Sequence, residues 1–270
     1  MPYVLEECKA GNTIEVRKYY TPRINVKGGS RIKNLKPTKE TMEKVNYRKA
    51  ERELRRLMNH NFDKSARHVT LTFENPPTLE ELPGIVAKYL RKLRDISIRK
   101  RKCKDISNTE KNTKKIQSKR KRKNTKKVQS ELKYIYVLGA GPVRRHAHIL
   151  IQGLTAEEIE DAWTYGHVRV QRVYSDDLRK LASYFMRNAE DTRTEQKKAE
   201  LRPGRRWNAS RNLKKPVAKK KIIKANEYRA EATPRKGYRV DEDTIFEGTS
   251  IFTGLAFFEY TLIREGARCG

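Results

Sequence analysis

Arg144-Arg-His-Ala-His-Ile-Leu-Ile-Gln-Gly153 is the stretch that decides the fold of this chain. Ile149-Leu-Ile151 is short, apolar and rich in β-branched residues, with Gly141-Pro142 before it and Gly153 after it. That pattern predicts a strand from a buried sheet. Side chains alternate faces along a strand, so His146 and His148 share one face. Two imidazoles on one rigid face can hold one divalent ion. The same pair also reads as two unrelated surface histidines. Tyr134 to Leu138 predicts a partner strand, with Gly139-Ala-Gly-Pro142 as the turn region of an antiparallel hairpin.

Working outward, His68-Val-Thr-Leu-Thr-Phe73 alternates and predicts another strand, broken by Asn75-Pro-Pro77. Thr78 and Glu81 form a capping-box pattern. Leu82, Ile85, Val86, Tyr89, Leu90 and Leu93 then recur at helical spacing, with Pro83 awkward in the first turn. After the hairpin, Thr155 with Glu158 opens a short helix through Trp163, and Gly166 to Val173 alternates as a strand. Ser175 to Glu190 predicts a helix with Ser175 as N-cap and Asp176 and Asp177 at the positive end of the dipole. Leu178, Leu181, Ala182 and Phe185 are its buried stripe. Tyr184 lies at the border of the stripe, with Arg187 and Asn188 on its own face. Taken as an isolated helix, the segment favours Tyr184 as a packing aromatic with a solvated Arg beside it. The order strand, helix, hairpin, helix, strand, helix predicts an α+β sandwich, an antiparallel sheet with helices mainly on one face.

Three regions follow: an N-terminal extension over 1–60, a domain over 61–200, and a basic C-terminal extension over 201–270. The first carries β-like pieces such as Thr13 to Arg17 and a charged helix from Thr38 to about Asn59. The last ends in a strand-like Ile251 to Ile263 with no assigned place. Within the domain, 99–130 dissolves into Lys, Arg, Asn, Thr and Ser. Asn112-Thr-Lys-Lys-Ile-Gln-Ser118 nearly repeats as Asn124-Thr-Lys-Lys-Val-Gln-Ser130. So little apolar surface cannot offset ordering entropy, so a disordered basic arm is expected. Its charge serves phosphate attraction or is a neutral expansion.

The chain has 270 residues and a formal net charge of +30, which points to a polyanionic partner, nucleic acid or an anionic membrane. No apolar run is long enough to span a bilayer, and Met-Pro-Tyr-Val-Leu-Glu-Glu is not expected to be a signal peptide. Cys8, Cys103 and Cys269 show neither zinc spacing nor a disulfide framework, which fits a reducing cytoplasm. No Gly-x-x-x-x-Gly-Lys-Ser/Thr loop is present, so no ATPase is expected. Trp207 among Arg205, Arg206 and Arg211, followed by Lys214 and Lys215, suits stacking and phosphate contact with single strands. Trp207 also reads as ordinary packing.

Together the motifs resemble the HUH endonuclease superfamily, and more closely its single-tyrosine rolling-circle replication initiators of bacterial phages and plasmids. The matching segments are Asn61 to Phe73, Arg145-His-Ala-His-Ile-Leu-Ile151 and Ser183-Tyr-Phe-Met-Arg187. Asn46-Tyr-Arg-Lys-Ala50 and Arg205-Arg-Trp-Asn-Ala-Ser-Arg-Asn-Leu-Lys-Lys-Pro216 are similar to the replication-associated subgroup. The resemblance implies an RRM-like sandwich and metal-dependent nicking of single-stranded DNA at a replication origin. It implies Tyr184 as nucleophile, Mg²⁺ or Mn²⁺ on His146 and His148, and Arg187 as a fixed cation where the family usually has Lys. Arg144 and Arg145 join the basic residues above as expected DNA contacts. A host helicase and polymerase are the expected partners, and no membrane. Many relatives place a ligating Glu near Gly139. A third ligand is then expected from His68, Glu74, Gln152 or His167, or from water and phosphate. A transposase or conjugative relaxase of the same superfamily, or a non-catalytic nucleic-acid-binding protein, stays open.

Overall fold

A computed structural model of the chain describes residues 3–21, 36–112, 130–141 and 144–266. In chain order its elements are β1 (Tyr3–Ala10), β2 (Thr13–Tyr20), α1 (Lys39–Asn61), β3 (Arg67–Thr72), α2 (Leu82–Asn112), β4 (Lys133–Ala140) and β5 (Arg145–Gln152). There follow α3 (Ala156–Glu160), β6 (Val168–Arg172), α4 (Arg179–Lys198), β7 (Asn208–Ala209), β8 (Lys219–Ile223), β9 (Tyr238–Thr249) and β10 (Ala256–Arg264). The architecture is α+β, with two five-stranded antiparallel sheets among the described residues. The chain divides into two compact units. One comprises residues 1–64, 174–184 and 214–270; the other comprises 65–173 and 185–213. No helix among the described residues is long and apolar enough to cross a membrane.

The first unit is built from the two ends of the chain. Its strand order is β8-β1-β2-β10-β9. Tyr3 pairs with Ile223 on one side and Tyr20 on the other, and Phe257 pairs with Tyr19. The strand-like C-terminal segment thus finds its place between β2 and β9. Ile14, Val16, Phe258, Tyr260 and Leu262 form an apolar cluster. Thr38 caps α1 by accepting from the Thr41 amide. Only its second half buries apolar side chains: Leu54, Leu57 and Met58.

Ion pairs add to that attachment. Glu15, 3 % exposed, lies 2.5 Å from Arg55 Nε and 2.7 Å from Arg56 Nε. Glu6 meets Arg56 at 3.1 Å, and Glu259 meets Arg17 at 2.6 Å and Arg52 at 3.5 Å. Burial pushes the Glu15 carboxyl up, but Arg55 and Arg56 outweigh it and hold it below the ordinary carboxylate value. Glu6 is shifted the same way, burial being outweighed by Tyr19, Arg17 and Arg56.

The second unit has the strand order β6-β3-β5-β4-β7, which puts the histidine strand at the centre. Ala147, Ile149 and Ile151 of β5 and Val69 and Leu71 of β3 face one side. There they pack with Leu82, Val86, Tyr89, Leu90 and Leu93 of α2 and with Ile159 of α3. Both expected capping boxes are formed, Thr78 with Glu81 and Thr155 with Glu158. Pro83 falls in the first turn of α2, where its missing amide costs nothing.

Two local expectations are corrected. Helix α2 runs on to Asn112, into the stretch expected as disordered from residue 99. Lys and Arg are good helix formers, Ser97 continues the buried stripe, and Lys100 reaches Glu158 at 2.8 Å. Residues 113–129, with most of the near-repeat, lie outside the described residues. Helix α4 starts at Arg179, and Ser175 is not its N-cap. Asp177 Oδ1 accepts from the Arg179 amide and Asn59 Oδ1 from the Leu178 amide. The Leu178 amide, which a cap at Ser175 would have served, thus goes to Asn59. Ser175 instead closes a local turn on Asp177.

Candidate active site

On the face of β5 away from α2, His146 and His148 stand side by side, ring centroids 4.9 Å apart. Their alternation with Ala147 and Ile149 follows from the two-residue period of the strand. Neighbouring strands add Thr70, in register with His148, and Gly139, in register with His146. Helix α4 lies on this face. Thr192 Oγ1 accepts from the Ala140 amide at 2.9 Å and lies 2.6 Å from the Leu138 carbonyl. The helix therefore grips β4 on both flanks of Gly139.

Gly139 was expected to mark a lost ligand, and its geometry shows what occupies that space. A Cβ at position 139 would lie 2.1 Å from His146 Nε2. The imidazole of His146 rests on the bare backbone of Gly139, and any larger residue there displaces it. Position 139 is a cradle for the ring.

Asn188 organises the pair. Its Oδ1 lies 3.0 Å from His146 Nε2, and the same side chain hydrogen-bonds His148. His146 Nδ1 lies 3.3 Å from the Arg144 carbonyl. Both partners of the ring are acceptors, so a neutral His146 donates to only one: Nε2–H to the Asn188 oxygen, or Nδ1–H to the Arg144 carbonyl, the tautomer in which Nε2 and the Asn188 oxygen would together face a cation. His148 Nδ1 lies 3.2 Å from Thr70 Oγ1 and 3.3 Å from His68 Nε2. Phe185, fully buried on α4, packs 5.6 Å from the His68 ring and 6.1 Å from that of His148.

Burial keeps the imidazoles of His148 and His68 neutral. Burial, with His146 and His68 nearby, lowers the pKa of His148 to about 3. Burial and then Arg169 lower that of His68 to about 4. Arg169 sits on β6 in register with Thr70 and is exposed. Neutral imidazoles offer lone pairs without proton competition at ordinary pH. Among the described residues no group of three or more His, Cys, Asp or Glu side chains is placed to hold a metal ion. The donors that do converge are the two imidazoles and the Asn188 amide oxygen. Two nitrogens and one neutral oxygen fit a borderline divalent cation, and suit Mn²⁺ better than Mg²⁺, which prefers oxygen.

Of the four candidate third ligands, His68 adjoins His148. Glu74 and His167 are gathered with Thr72 in a separate pocket, and Gln152 lies at the far end of β5 opposite Lys133. Tyr184 is half-buried on α4, next to Phe185 and one turn before Asn188; Arg187 is exposed. The basic residues are dispersed. Arg144, Arg205, Arg211, Lys214 and Lys215 are exposed. Arg145 bonds the Gly141 carbonyl, Arg206 pairs with Glu190 at 3.2 Å, and Trp207 is half-buried beside β7. Lys214 and Lys215 belong to the first unit and the others to the second. The sequence reading gave no role to Thr70 or Arg169; their positions opposite the histidine strand and beside His68 emerge only from strand register. Comparison with family models, with curated proteins and with solved structures returned no match.

Proposed function

We propose that this chain nicks and rejoins single-stranded DNA through a tyrosyl-phosphate intermediate and thereby initiates rolling-circle replication. The observation that carries the reading is the pairing of His146 and His148 on β5 with Asn188, one turn beyond Tyr184 on α4. Tyrosine has an ordinary pKa near 10 and needs an electrophile made more reactive to attack at neutral pH. When bound, a divalent cation on His146 and His148, with the Asn188 amide oxygen as further donor, supplies Lewis acidity to the phosphate and its departing oxygen.

Tyr184 Oη forms the new bond to phosphorus while the bond from phosphorus to the 3′ oxygen breaks. The phenolic proton passes to solvent and the 3′ oxygen takes one up. The products are a 5′-phosphotyrosine and a free 3′-OH, which primes synthesis and later attacks the phosphotyrosine to rejoin strands. Arg187 holds phosphate as a permanent cation; it does not serve as a base. Asn188 fixes both imidazoles, and Phe185 excludes water behind them. The basic surface holds the strand through its phosphates.

Incubation with a single-stranded oligonucleotide library and Mn²⁺ tests the reading. A covalent protein–DNA adduct is expected, abolished by EDTA and by Tyr184→Phe, with DNA affinity of the variant nearly unchanged. Undiminished adduct in Tyr184→Phe assigns the nucleophile elsewhere, and cleavage that persists in chelator removes the metal role.

A further inference from the structure

At the end of β3 a pocket of about 500 Å³ opens, lined by Thr72, Phe73, Glu74, Thr164, Gly166 and His167. It is a wide-open depression and not an enclosed cavity: Glu74, Thr164, Gly166 and His167 are all exposed. Its walls are held rigidly. The Thr72 amide and hydroxyl both donate to the His167 carbonyl at 2.9 Å, and the Glu74 amide donates to the Tyr165 carbonyl at 3.0 Å. Gly166 has φ +147°, and a Cβ there would lie 2.5 Å from the Glu74 nitrogen. This close approach of two backbones requires glycine. Phe73 packs edge-on against the buried Trp163, 5.1 Å between centroids, so the aromatic wall is braced from behind.

The pocket opens beside the candidate active site. Thr72, in its lining, is the register partner of His146. Opposed residues of an antiparallel pair lie about 5 Å apart, so the pocket is within reach of a nucleotide next to a phosphate at His146. Arg169, exposed on the adjoining strand, offers that backbone a cation.

We infer that this pocket is a base-reading subsite, which takes one unpaired nucleobase carrying an exocyclic amine, cytosine, adenine or guanine, from the strand bound at the histidines. Phe73 supplies an aromatic wall, Glu74 accepts from the amine and His167 closes the base from the outer side. A carboxylate accepting from a cytosine amine is an established pairing in base recognition. Thymine, which lacks the amine, is disfavoured. The inference rests on the single-stranded DNA reading above, but not on cleavage.

Binding of fluorescent oligo(dC), oligo(dA) and oligo(dT) to the full chain, without added metal, tests it apart from the nicking reading. The parent is expected to bind oligo(dC) or oligo(dA) about five-fold more tightly than oligo(dT). Glu74→Ala is expected to abolish that preference, and His167→Ala to weaken all three strands by a similar factor. Both side chains are exposed, and the loop is held by backbone atoms, so both variants keep the fold. Equal binding of all three strands by the parent, or a preference that survives Glu74→Ala, overturns the subsite and leaves the Tyr184 adduct unaffected. Loss of the adduct with the base preference intact overturns the nicking reading instead.

Discussion

The two units solve one problem, holding a helix against a sheet, with opposite chemistry. In the first, α1 is tied to the strands by charges: Arg55 and Arg56 on Glu15, Arg56 on Glu6, Arg52 on Glu259. In the second, α2 packs by Leu, Val and Tyr on one face. On the other, Phe185 covers imidazoles that are kept neutral. Buried ion pairs thus hold α1 to the first sheet, while His148 has neutral partners, Thr70 and His68. A buried carboxylate beside the histidines would raise their pKa values and bring proton competition toward ordinary pH. The difference predicts that the units respond separately to loss of charge and to acid.

The largest expected effect is that of Glu15→Gln. It leaves two guanidinium groups without their shared anion, and breaking such a buried pair costs about 3–5 kcal/mol. Hydrogen exchange should show the loss in peptides from 3–20 and 39–61, with those from 133–152 much less affected. Equal loss in both would break the comparison.

Acid should act in the reverse order. The folded pKa of His68 is about 4 and that of His148 about 3, against an ordinary 6.5. As pH falls the unfolded chain takes up these protons first. The stability of keeping the imidazoles neutral is therefore complete above 6.5 and drains away toward the folded values. By about pH 5 the His68 contribution alone costs roughly 2 kcal/mol. Glu6 and Glu15 are held below the ordinary 4.5, so their stabilisation persists above that value and is lost only at lower pH. Protection factors measured from pH 7 downward should fall first in 133–152 and only below about pH 4.5 in 3–20. Simultaneous loss would show that the imidazoles are not held neutral.

A small effect sharpens the contrast. Thr155→Ala removes an uncharged cap from α3, and about 1 kcal/mol of stability, from the second unit alone. Unlike the Glu15 loss, it should be insensitive to salt, as a chemical melt at two ionic strengths would show.

Much of the second unit was legible because its signals are local. The apolar alternation in 145–152, the two capping boxes and the helical stripe from Leu82 to Leu93 each lie within one element. In the first unit the helix from Thr38, the strand from Thr13 and the strand-like C-terminal segment were legible, but their assembly was not, since no local signal announces that Tyr3 to Glu7 pairs with a lysine-rich segment more than two hundred residues away. The start of α4 was misplaced for the same reason: the Asn59 oxygen that serves its amide comes from a distant helix. At the site, the histidine pair was readable from period two alone. Asn188 was visible as a helix neighbour of Tyr184, but its bonds to His146 and His148 depend on how α4 lies on the sheet. Gly139 was recognised as a departure, and its meaning needed the register that sets it opposite His146.

That register has an evolutionary consequence. A side chain at 139 and the present seat of the His146 ring exclude one another, because both claim the same volume. The two positions therefore cannot change independently. A side chain introduced at 139 must be accompanied by a new seat for the His146 ring, which couples the two positions across β4 and β5.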